Sequence, residues 1–260
     1  MIVSFIILLY NICVGEVMEN ITSVNNNHIK ELCKLKEKKY RDNTNTFLIE
    51  GEHLIYEAYK EGLLEEVLPL IGEDFSMASN ITFISREVMK KLSSTDSIPN
   101  VIGVCRKNKE KKPGNKILIL EDIQDPGNLG TIIRSSLAFG IDTIVLSPKT
   151  VDLYNSKVIR STQGMMFHIN IIVRDLIPFI EGLKKSNYSI YGTKVDNGLN
   201  VRNIEKVDKY AIIIGNEGNG MSHDIESLCD KNLYIDMDNN VESLNAGVAA
   251  SIILYEMRNK

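Results

Sequence analysis

The stretch DPGNLGTIIRSSLAFG, residues 125–140, predicts a tight turn that leads into a helix. Residues that favour turns crowd the segment from Asp122 to Gly130, and Gly140 is placed to end the helix as a C-terminal cap. The helix carries Arg134 close to its start. An isolated arginine in such a position is most often a solvated surface charge, so any chemical role for it has to be argued from the rest of the chain.

The segments around this stretch predict an α/β fold. Five short apolar runs are bounded by turn residues, and segments of helical length separate most of them. The runs are KILILE (116–121), DTIVLS (142–147), INIIV (169–173), YSIYG (188–192) and YAIIIG (210–215). This alternation is typical of a mostly parallel sheet with helical crossovers, whose ligands bind beyond the carboxyl ends of the strands. The loops that follow the strands are therefore the first place to look for a site.

A second unusual loop, IIIGNEGNGMS, covers residues 212–222. Its glycines would let a ligand approach the backbone closely, but their order is the reverse of the dinucleotide pattern G-x-G-x-x-G. The phosphate-binding pattern G-x-x-x-x-G-K-[ST] fits Gly215, Gly220 and Ser222, except that Met221 replaces the lysine that would neutralise phosphate charge. We expect the loop, with the carboxylate of Glu217, to take an uncharged or cationic small molecule.

The third unusual segment is VESLNAGVAASIILYEMRNK at the end of the chain, residues 241–260. Ser243 is a candidate N-cap, and small residues crowd the first turns of the helix that follows. Taken alone, such a segment indicates a closely packed core helix.

Composition indicates a globular chain without a metal or disulfide framework. The 260 residues are 43% hydrophobic, and the four cysteines lie far apart with no C-x-x-C pair, which suits a reducing cytoplasm. We identify no cluster with metal-ligand spacing. The net charge of −4 hides two basic runs, residues 30–41 at net +4 and residues 106–116 at net +5, which could each be a solvated face or a phosphate-binding surface.

The beginning of the chain, MIVSFIILLYNICVGEV, has an apolar run that is too short to span a bilayer and lacks the basic leader of a signal peptide. We expect residues 1–17 to result from a start codon assigned too early, with Met18 as the true first residue, or to form a disordered extension. A short membrane or signal segment is the alternative.

We place a domain boundary at RKNKEKKPGNK, where charge, Pro113 and Gly114 interrupt the apolar pattern. The prediction is a small α/β domain over 18–106, a linker over 107–116 and the sheet domain over 117–260. The predicted elements of the small domain are a basic helix around residues 28–40, strands at TFLIEG, VLPLIG and ITFIS, and helices at HLIYEAYKEG and REVMKKLSS.

The three loops, in this order, closely resemble the three motifs of the SpoU/TrmH family, the SPOUT-class RNA ribose 2′-O-methyltransferases. The resemblance covers essentially all of 117–260, and KVIRSTQGMMFHI at 157–169 is similar to a further family segment. The first unit, with ITSVNNNHIKELCKLKEKKYRDNTNTFLIEG, resembles more loosely the substrate-binding domain that many members carry.

The resemblance implies a deep trefoil knot, an S-adenosylmethionine pocket made by that knot, and a homodimer without metal whose subunits complete each other's sites. It matches Arg134 to the catalytic arginine and Asn128 to the motif asparagine, and it places polar family positions at Glu217, Ser243 and Asn245. The implied cofactor residues are Gly215, Gly220, Ile235, Met237 and Leu244. One departure is Asp236, where a proline is common, so this loop loses a rigid φ angle.

The implied substrate is structured RNA bound largely through phosphates. The candidate RNA-binding residues are Lys36, Lys38, Lys39 and Arg41 in the first basic run, and Arg160 in KVIRSTQGMMFHI. We favour 23S rRNA as the substrate, with tRNA as the close alternative and a non-catalytic ribosome assembly factor as the alternative of another class. Arginine is a poor base, so we expect Arg134 to hold the ribose and stabilise its oxygen, while the family proposal that it accepts the proton stays open.

Overall fold

The computed structural model describes residues 19–75, 78, 80–195, 198–238 and 240–258. The predictions made for residues 1–17 and for Met18 lie outside the described residues. No helix of the described ranges has the length and apolar character needed to cross a membrane.

The first unit is built on an antiparallel sheet with strand order β2-β5-β3. Its strands are β2 (Thr46–Glu50), β3 (Leu64–Pro69) and β5 (Val101–Arg106). A parallel pair, β1 (Glu19–Ile21) with β4 (Thr82–Ile84), lies beside it. The central strand β5 was not predicted, because its apolar residues show no alternation and run directly into the basic segment that follows.

Four helices cover this sheet: α1 (Asn27–Lys34), α2 (Lys38–Thr44), α3 (Glu52–Lys60) and α4 (Arg86–Leu92). The prediction of one continuous basic helix over residues 28–40 was wrong, because the helix breaks at residues 35–37. There the backbone N–H groups of Leu35, Lys36 and Glu37 bond three residues back, as in a 3₁₀ turn. Arg41 Nη1 donates to the carbonyls of Leu35 and Lys36, at 2.8 Å each, and these bonds stabilise the chain at the break.

The second unit is a seven-stranded parallel sheet with strand order β10-β12-β9-β11-β6-β7-β8. The strands are β6 (Lys116–Leu120), β7 (Thr143–Leu146), β8 (Asn170–Val173), β9 (Ser189–Thr193), β10 (Leu199–Asn200), β11 (Tyr210–Ile214) and β12 (Lys231–Tyr234). All five predicted runs are strands, which confirms the α/β fold. The short, polar strands β10 and β12 were missed because they carry no apolar run.

Helices pack on both faces of this sheet: α5 (Pro126–Ala138), α6 (Ser156–Thr162), α7 (Leu176–Lys185), α8 (His223–Glu226) and α9 (Ala246–Arg258). Helices α5, α6 and α9 share a buried cluster with Leu118 and Leu120. Helices α7 and α8 pack on the other face with Ile117 and Ile119. Successive residues of β6 thus serve opposite layers, as the period of a strand requires.

The two units share one hydrophobic core. Phe47 of β2 packs on Tyr154 and Phe167 of the second unit, with ring centroids 4.6 and 6.3 Å apart. Nearby, His168 bonds the carboxylates of Glu57 in α3 and of Glu61 at the end of that helix, at 2.6 and 2.9 Å. The segment around KVIRSTQGMMFHI therefore forms much of the contact between the units.

Arg41 belongs to this contact and not to the outer surface. It is only 7% exposed, and besides the two carbonyl bonds its guanidinium forms an ion pair with Asp152 of the second unit. The prediction that Arg41 binds RNA is corrected here, because the whole head group is enclosed by protein.

We expect Arg41→Met to lower the free energy of unfolding by about 3 kcal/mol, because one partner of a buried ion pair is removed. Urea unfolding followed by circular dichroism measures this. Lys38→Met is the matched control, since Lys38 pairs with Asp42 in the same helix but on the open surface, and we expect a change below about 0.5 kcal/mol. Equal losses for the two variants would contradict the structural role given to Arg41.

Candidate functional site

The three motif loops meet at the carboxyl edge of the large sheet. Strands β6 and β11 are neighbours, with Leu120 paired to Ile214, so the loops that follow them leave the sheet side by side. The third loop runs into α9, which packs along α5, and the hydroxyls of Ser135 and Ser251 lie 2.7 Å apart between these helices. The fold thus brings the beginning, middle and end of the second unit to one place.

Helix α5 begins at the first motif. Asp125 is its N-cap, and its Oδ1 accepts from the backbone N–H of Asn128 at 2.7 Å. Pro126 occupies the first helical position, where its missing N–H costs nothing. At the other end Gly140 has φ +78°, as expected of the residue just after a helix, so the predicted turn, helix and glycine stop are all present.

The carboxylate of Glu217 ties the second motif to the first. It accepts from the backbone N–H groups of Gln124 and Asp125, each at 3.1 Å, and from Asn128 Nδ2 at 3.1 Å. Burial alone would raise the pKa of Glu217, but the bond from Asn128 and the backbone bonds outweigh it and hold the pKa below its ordinary value. Glu217 is therefore an anion that closes the turn at residues 124–125.

Asn128 ties the third motif to the same group. Its side chain is 8% exposed, and while Nδ2 donates to Glu217, Oδ1 accepts from Asn245 Nδ2 at 2.8 Å. Asn245 in turn accepts from the backbone N–H groups of Gly247 and Val248. Asn245 is therefore the cap of α9, and the prediction of Ser243 as its N-cap was wrong.

The glycine loop folds back on itself after β11. Asn216 and Gly220 exchange two backbone bonds of 3.0 and 2.9 Å, and Gly220 has φ +66°. A Cβ on Gly215 would lie 2.2 Å from the backbone of Gly220 and Met221, so only glycine fits there. The loop is a tight hairpin of backbone.

Asn216 is a structural residue of this loop that the sequence analysis did not single out. Its Oδ1 accepts from the N–H groups of Gly218 and Asn219, and its Nδ2 donates to the carbonyl of Asp122 at 2.8 Å. Its position two residues after the end of the strand and directly before Glu217 is a sequence signal that could have found it, since asparagine commonly bonds backbone two residues on.

Arg134 stands apart from this network. It is exposed on α5 and makes no hydrogen bond or ion pair with any residue in the described ranges. One turn before it, Gly130 lies against Ser161 of α6, where an added Cβ would come within 2.2 Å. The close contact of the two helices places α6 beside the exposed Arg134.

The other residues predicted to bind cofactor lie after β12 and before α9, and make no hydrogen bond with the hairpin among the described residues. Ile235, Met237 and Leu244 are half-buried, and Ile235 packs on the main core, whereas Asp236 is exposed. Ser243 is also exposed. An open pocket on the hairpin's other flank contains Gly220 alone of this set, with Asp122, Lys149 and Asn216 among its walls.

The candidate RNA-binding residues other than Arg41 are accessible to differing degrees. Lys39 is exposed with no ion pair among the residues that the structure describes, and Lys38 is exposed but paired to Asp42. The Lys36 ammonium donates to the carbonyls of Lys91 and Ser93, and Arg160 is half-buried.

A comparison with protein families finds two matches. The model of the SpoU rRNA Methylase family matches residues 115–255, more than half of the chain. The chain belongs to the SpoU rRNA methylase family. A second model, the MRM3-like substrate binding domain, matches residues 26–103.

Individual relatives agree with this assignment. A 23S rRNA (guanosine(2553)-2′-O)-methyltransferase of Bacillus subtilis is 38% identical over 247 residues, covering 93% of this chain and all of the relative. A crystal structure of an RNA 2′-O ribose methyltransferase is 30% identical, with a TM-score of 0.78 over 92% of this chain and 97% of that one. The AdoMet-bound rRNA methyltransferase of Sinorhizobium meliloti shares the fold at 24% identity, with a TM-score of 0.81 over 93% and 97%.

We expect Gly215→Ala to open the hairpin, because the new Cβ would collide with backbone that cannot move aside. Hydrogen exchange across residues 212–222 should rise at least about tenfold, the equivalent of one lost hydrogen bond. Gly218→Ala is the control in the same loop, since its Cβ would meet only Asn216 Oδ1 at an ordinary 3.6 Å. Unchanged exchange in Gly215→Ala would show that the loop does not need the close approach.

Proposed function

We propose that this protein transfers a methyl group from S-adenosylmethionine to a ribose 2′-hydroxyl of 23S rRNA. The observation that carries the proposal is the bonded group of Asn128, Glu217 and Asn245, which joins the three motif loops of a SpoU family chain. These residues match polar family positions, and they meet although they lie far apart in sequence.

The residues present fit S-adenosylmethionine. The hairpin leaves its backbone open at Gly220, where nothing lies within 4 Å of the position a Cβ would take. The half-buried Ile235 and Leu244 offer apolar surface for an uncharged ring. When bound, S-adenosylmethionine supplies a methyl group already activated by its sulfonium. The protein then has to align the ribose oxygen with that methyl and help its proton to leave.

Arg134 is the residue we assign to the ribose. Its guanidinium is exposed without a bond to the described residues, so it is available to a phosphate and the neighbouring ribose oxygen together. A cation there stabilises the negative charge that develops on the ribose oxygen as its proton leaves. Asn128 lies in the first turn of the same helix, orients the start of that helix, and acts as a positioning residue.

One observation favours 23S rRNA over tRNA as the substrate, and two further ones support binding of an RNA. The B. subtilis relative, covered over its whole length, is named for 23S rRNA. The first unit matches a substrate-binding domain, and basic side chains such as Lys39 are exposed on it. A tRNA ribose methyltransferase and a non-catalytic assembly factor are the outcomes that would replace this assignment.

The proposal includes the wider organisation expected of the family. We assign a substrate-binding domain to 18–106, a linker to 107–116 and a catalytic domain with a trefoil knot to 117–260. A homodimer is supported by Val248 and Tyr255, which are 46% and 54% exposed on α9, and by the absence of a bond to Arg134 among the described residues. A cytoplasmic location is supported by the RNA substrate and the scattered cysteines.

The test is methyl transfer from labelled S-adenosylmethionine to unmodified 23S rRNA, with the 2′-O-methyl position mapped. We expect Arg134→Ala to slow transfer at least about 100-fold, because a group that stabilises transition-state charge is lost, while calorimetry shows unchanged S-adenosylmethionine binding. Lys185→Ala, on the opposite face of the sheet, should transfer at the wild-type rate.

Each other outcome has a definite meaning. Transfer to tRNA and not to 23S rRNA would show that tRNA is the substrate. Binding of S-adenosylmethionine without transfer to any RNA would refute the enzyme assignment and favour an assembly factor. Methyl transfer by Arg134→Ala at the wild-type rate would show that Arg134 has no role in the reaction.

A further inference from the structure

We propose that a surface running from α4 across α6 binds the phosphate backbone of the RNA and leads it to Arg134. This surface, the basic track, consists of Lys36, Lys90, Lys91, Lys157 and Arg160. The inference rests on the proposed function, because it takes the bound polyanion to be the RNA substrate. Most of its residues lie outside the run that the sequence analysis selected.

The track begins at the C-terminal end of α4. Val88, Met89 and Leu92 bury one side of this helix in the core of the first unit, which turns Lys90 and Lys91 to the surface. Lys90 is exposed and makes no hydrogen bond or ion pair with the described part of the chain.

Two further ammonium groups are fixed beside Lys90 by backbone. Lys91 Nζ donates to the carbonyl of Val24 at 2.8 Å, and Lys36 Nζ donates to the carbonyls of Lys91 and Ser93 at 2.9 Å. Because these acceptors are neutral, both ammonium groups keep their full charge at the surface. The end of α4 therefore presents three positive charges close together.

The loop after α4 is held in place by a half-buried carboxylate. Glu50 accepts from the hydroxyls of Ser93, Ser94 and Thr95 and from the backbone N–H of Ser94. Burial alone would raise the pKa of Glu50, but these four bonds together hold it below its ordinary value. The charge of the Glu50 carboxylate is thus compensated by hydrogen bonds from the loop, and these bonds fix the shape of the loop where it faces the second unit.

Arg160 continues the track on the second unit. Its Nη1 donates to Ser94 Oγ at 2.9 Å, the same hydroxyl that donates to Glu50. Lys157 lies one turn earlier on α6, exposed and without an ion pair among the described residues. Residues three apart share a helix face, so Lys157 and Arg160 extend the positive surface across the contact between the units.

The track ends at Arg134. Ser161, next to Arg160, touches α5 at Gly130. Arg134 lies one turn further along α5 on the same face. The helix that carries Lys157 and Arg160 thus packs directly beside the helix that carries the residue we assign to the ribose.

Charge favours RNA as the occupant. The exposed acidic residues within five positions of the track residues are Glu31, Glu37, Glu87 and Asp96, against five basic residues of the track and Arg134 itself. A phosphate backbone places negative charges at regular spacing and needs no base-specific contacts to follow such a surface. In this arrangement the first unit holds a segment of the RNA that lies away from the target ribose.

The test compares two double variants of the full-length protein. We measure binding of an unmodified 23S rRNA transcript, without cofactor, over a series of salt concentrations. Lys90→Gln with Lys157→Gln should weaken binding about tenfold at 0.1 M salt and reduce the slope of log affinity against log salt by about 2, because two phosphate contacts are lost. Thermal unfolding should stay unchanged, since neither lysine bonds to described residues.

Lys185→Gln with Lys209→Gln removes the same charge at the amino edge of the large sheet, and its slope should equal that of the wild type. A wild-type slope for the first double variant, or an equal reduction in both, would overturn the basic track. The proposed function fails separately, if the wild type binds the transcript along the track but transfers no methyl group.

Discussion

Glu217 holds together the parts of the chain that make the site, because one carboxylate satisfies donors from a turn and from a helix at once. It accepts from the N–H groups of Gln124 and Asp125 and from the side chain of Asn128, whose other end binds Asn245. Hydrogen bonds to a charged acceptor contribute about 1.5 to 3 kcal/mol each. The three motif loops are therefore one bonded unit, and the position of each depends on the others.

Much of this fold is predictable from the sequence for a simple reason. Strands such as β6 and β11 lie inside a parallel sheet and are apolar on both faces, so they stand out from the turn residues around them. The motif loops are predictable because glycines and asparagines concentrate where the backbone turns sharply, as Gly215 and Gly220 show. The family resemblance added which loops belong together, and the structure confirms that they meet.

The remaining features depend on contacts that a linear pattern does not contain. Helices α1 and α2 are separate because Arg41, several residues away, takes the carbonyls that a continuous helix would have used. Asn245 caps α9 in place of Ser243 because Asn128 fixes its side chain from another helix. Lys90 is important through its neighbours in space, and nothing in REVMKKLSS itself distinguishes it from an ordinary solvated lysine.

The core shared by the two units suggests how binding and chemistry are kept in register. Phe47 and the pair of Arg41 with Asp152 join the first unit directly to the sheet domain. RNA held on the first unit is thus held at a set position relative to Arg134. The chain uses its packing, in addition to its charges, to place a substrate.

The most direct measurement is calorimetric titration of S-adenosylmethionine into Asn128→Asp over a range of pH. This change keeps the shape of the side chain but sets a second carboxylate against Glu217, and two such groups resist ionising together. The account predicts binding at least about tenfold weaker than wild type above neutral pH, with recovery as the pH falls and the pair takes up one proton. Wild-type affinity at every pH would contradict the central place of the group formed by Asn128, Glu217 and Asn245.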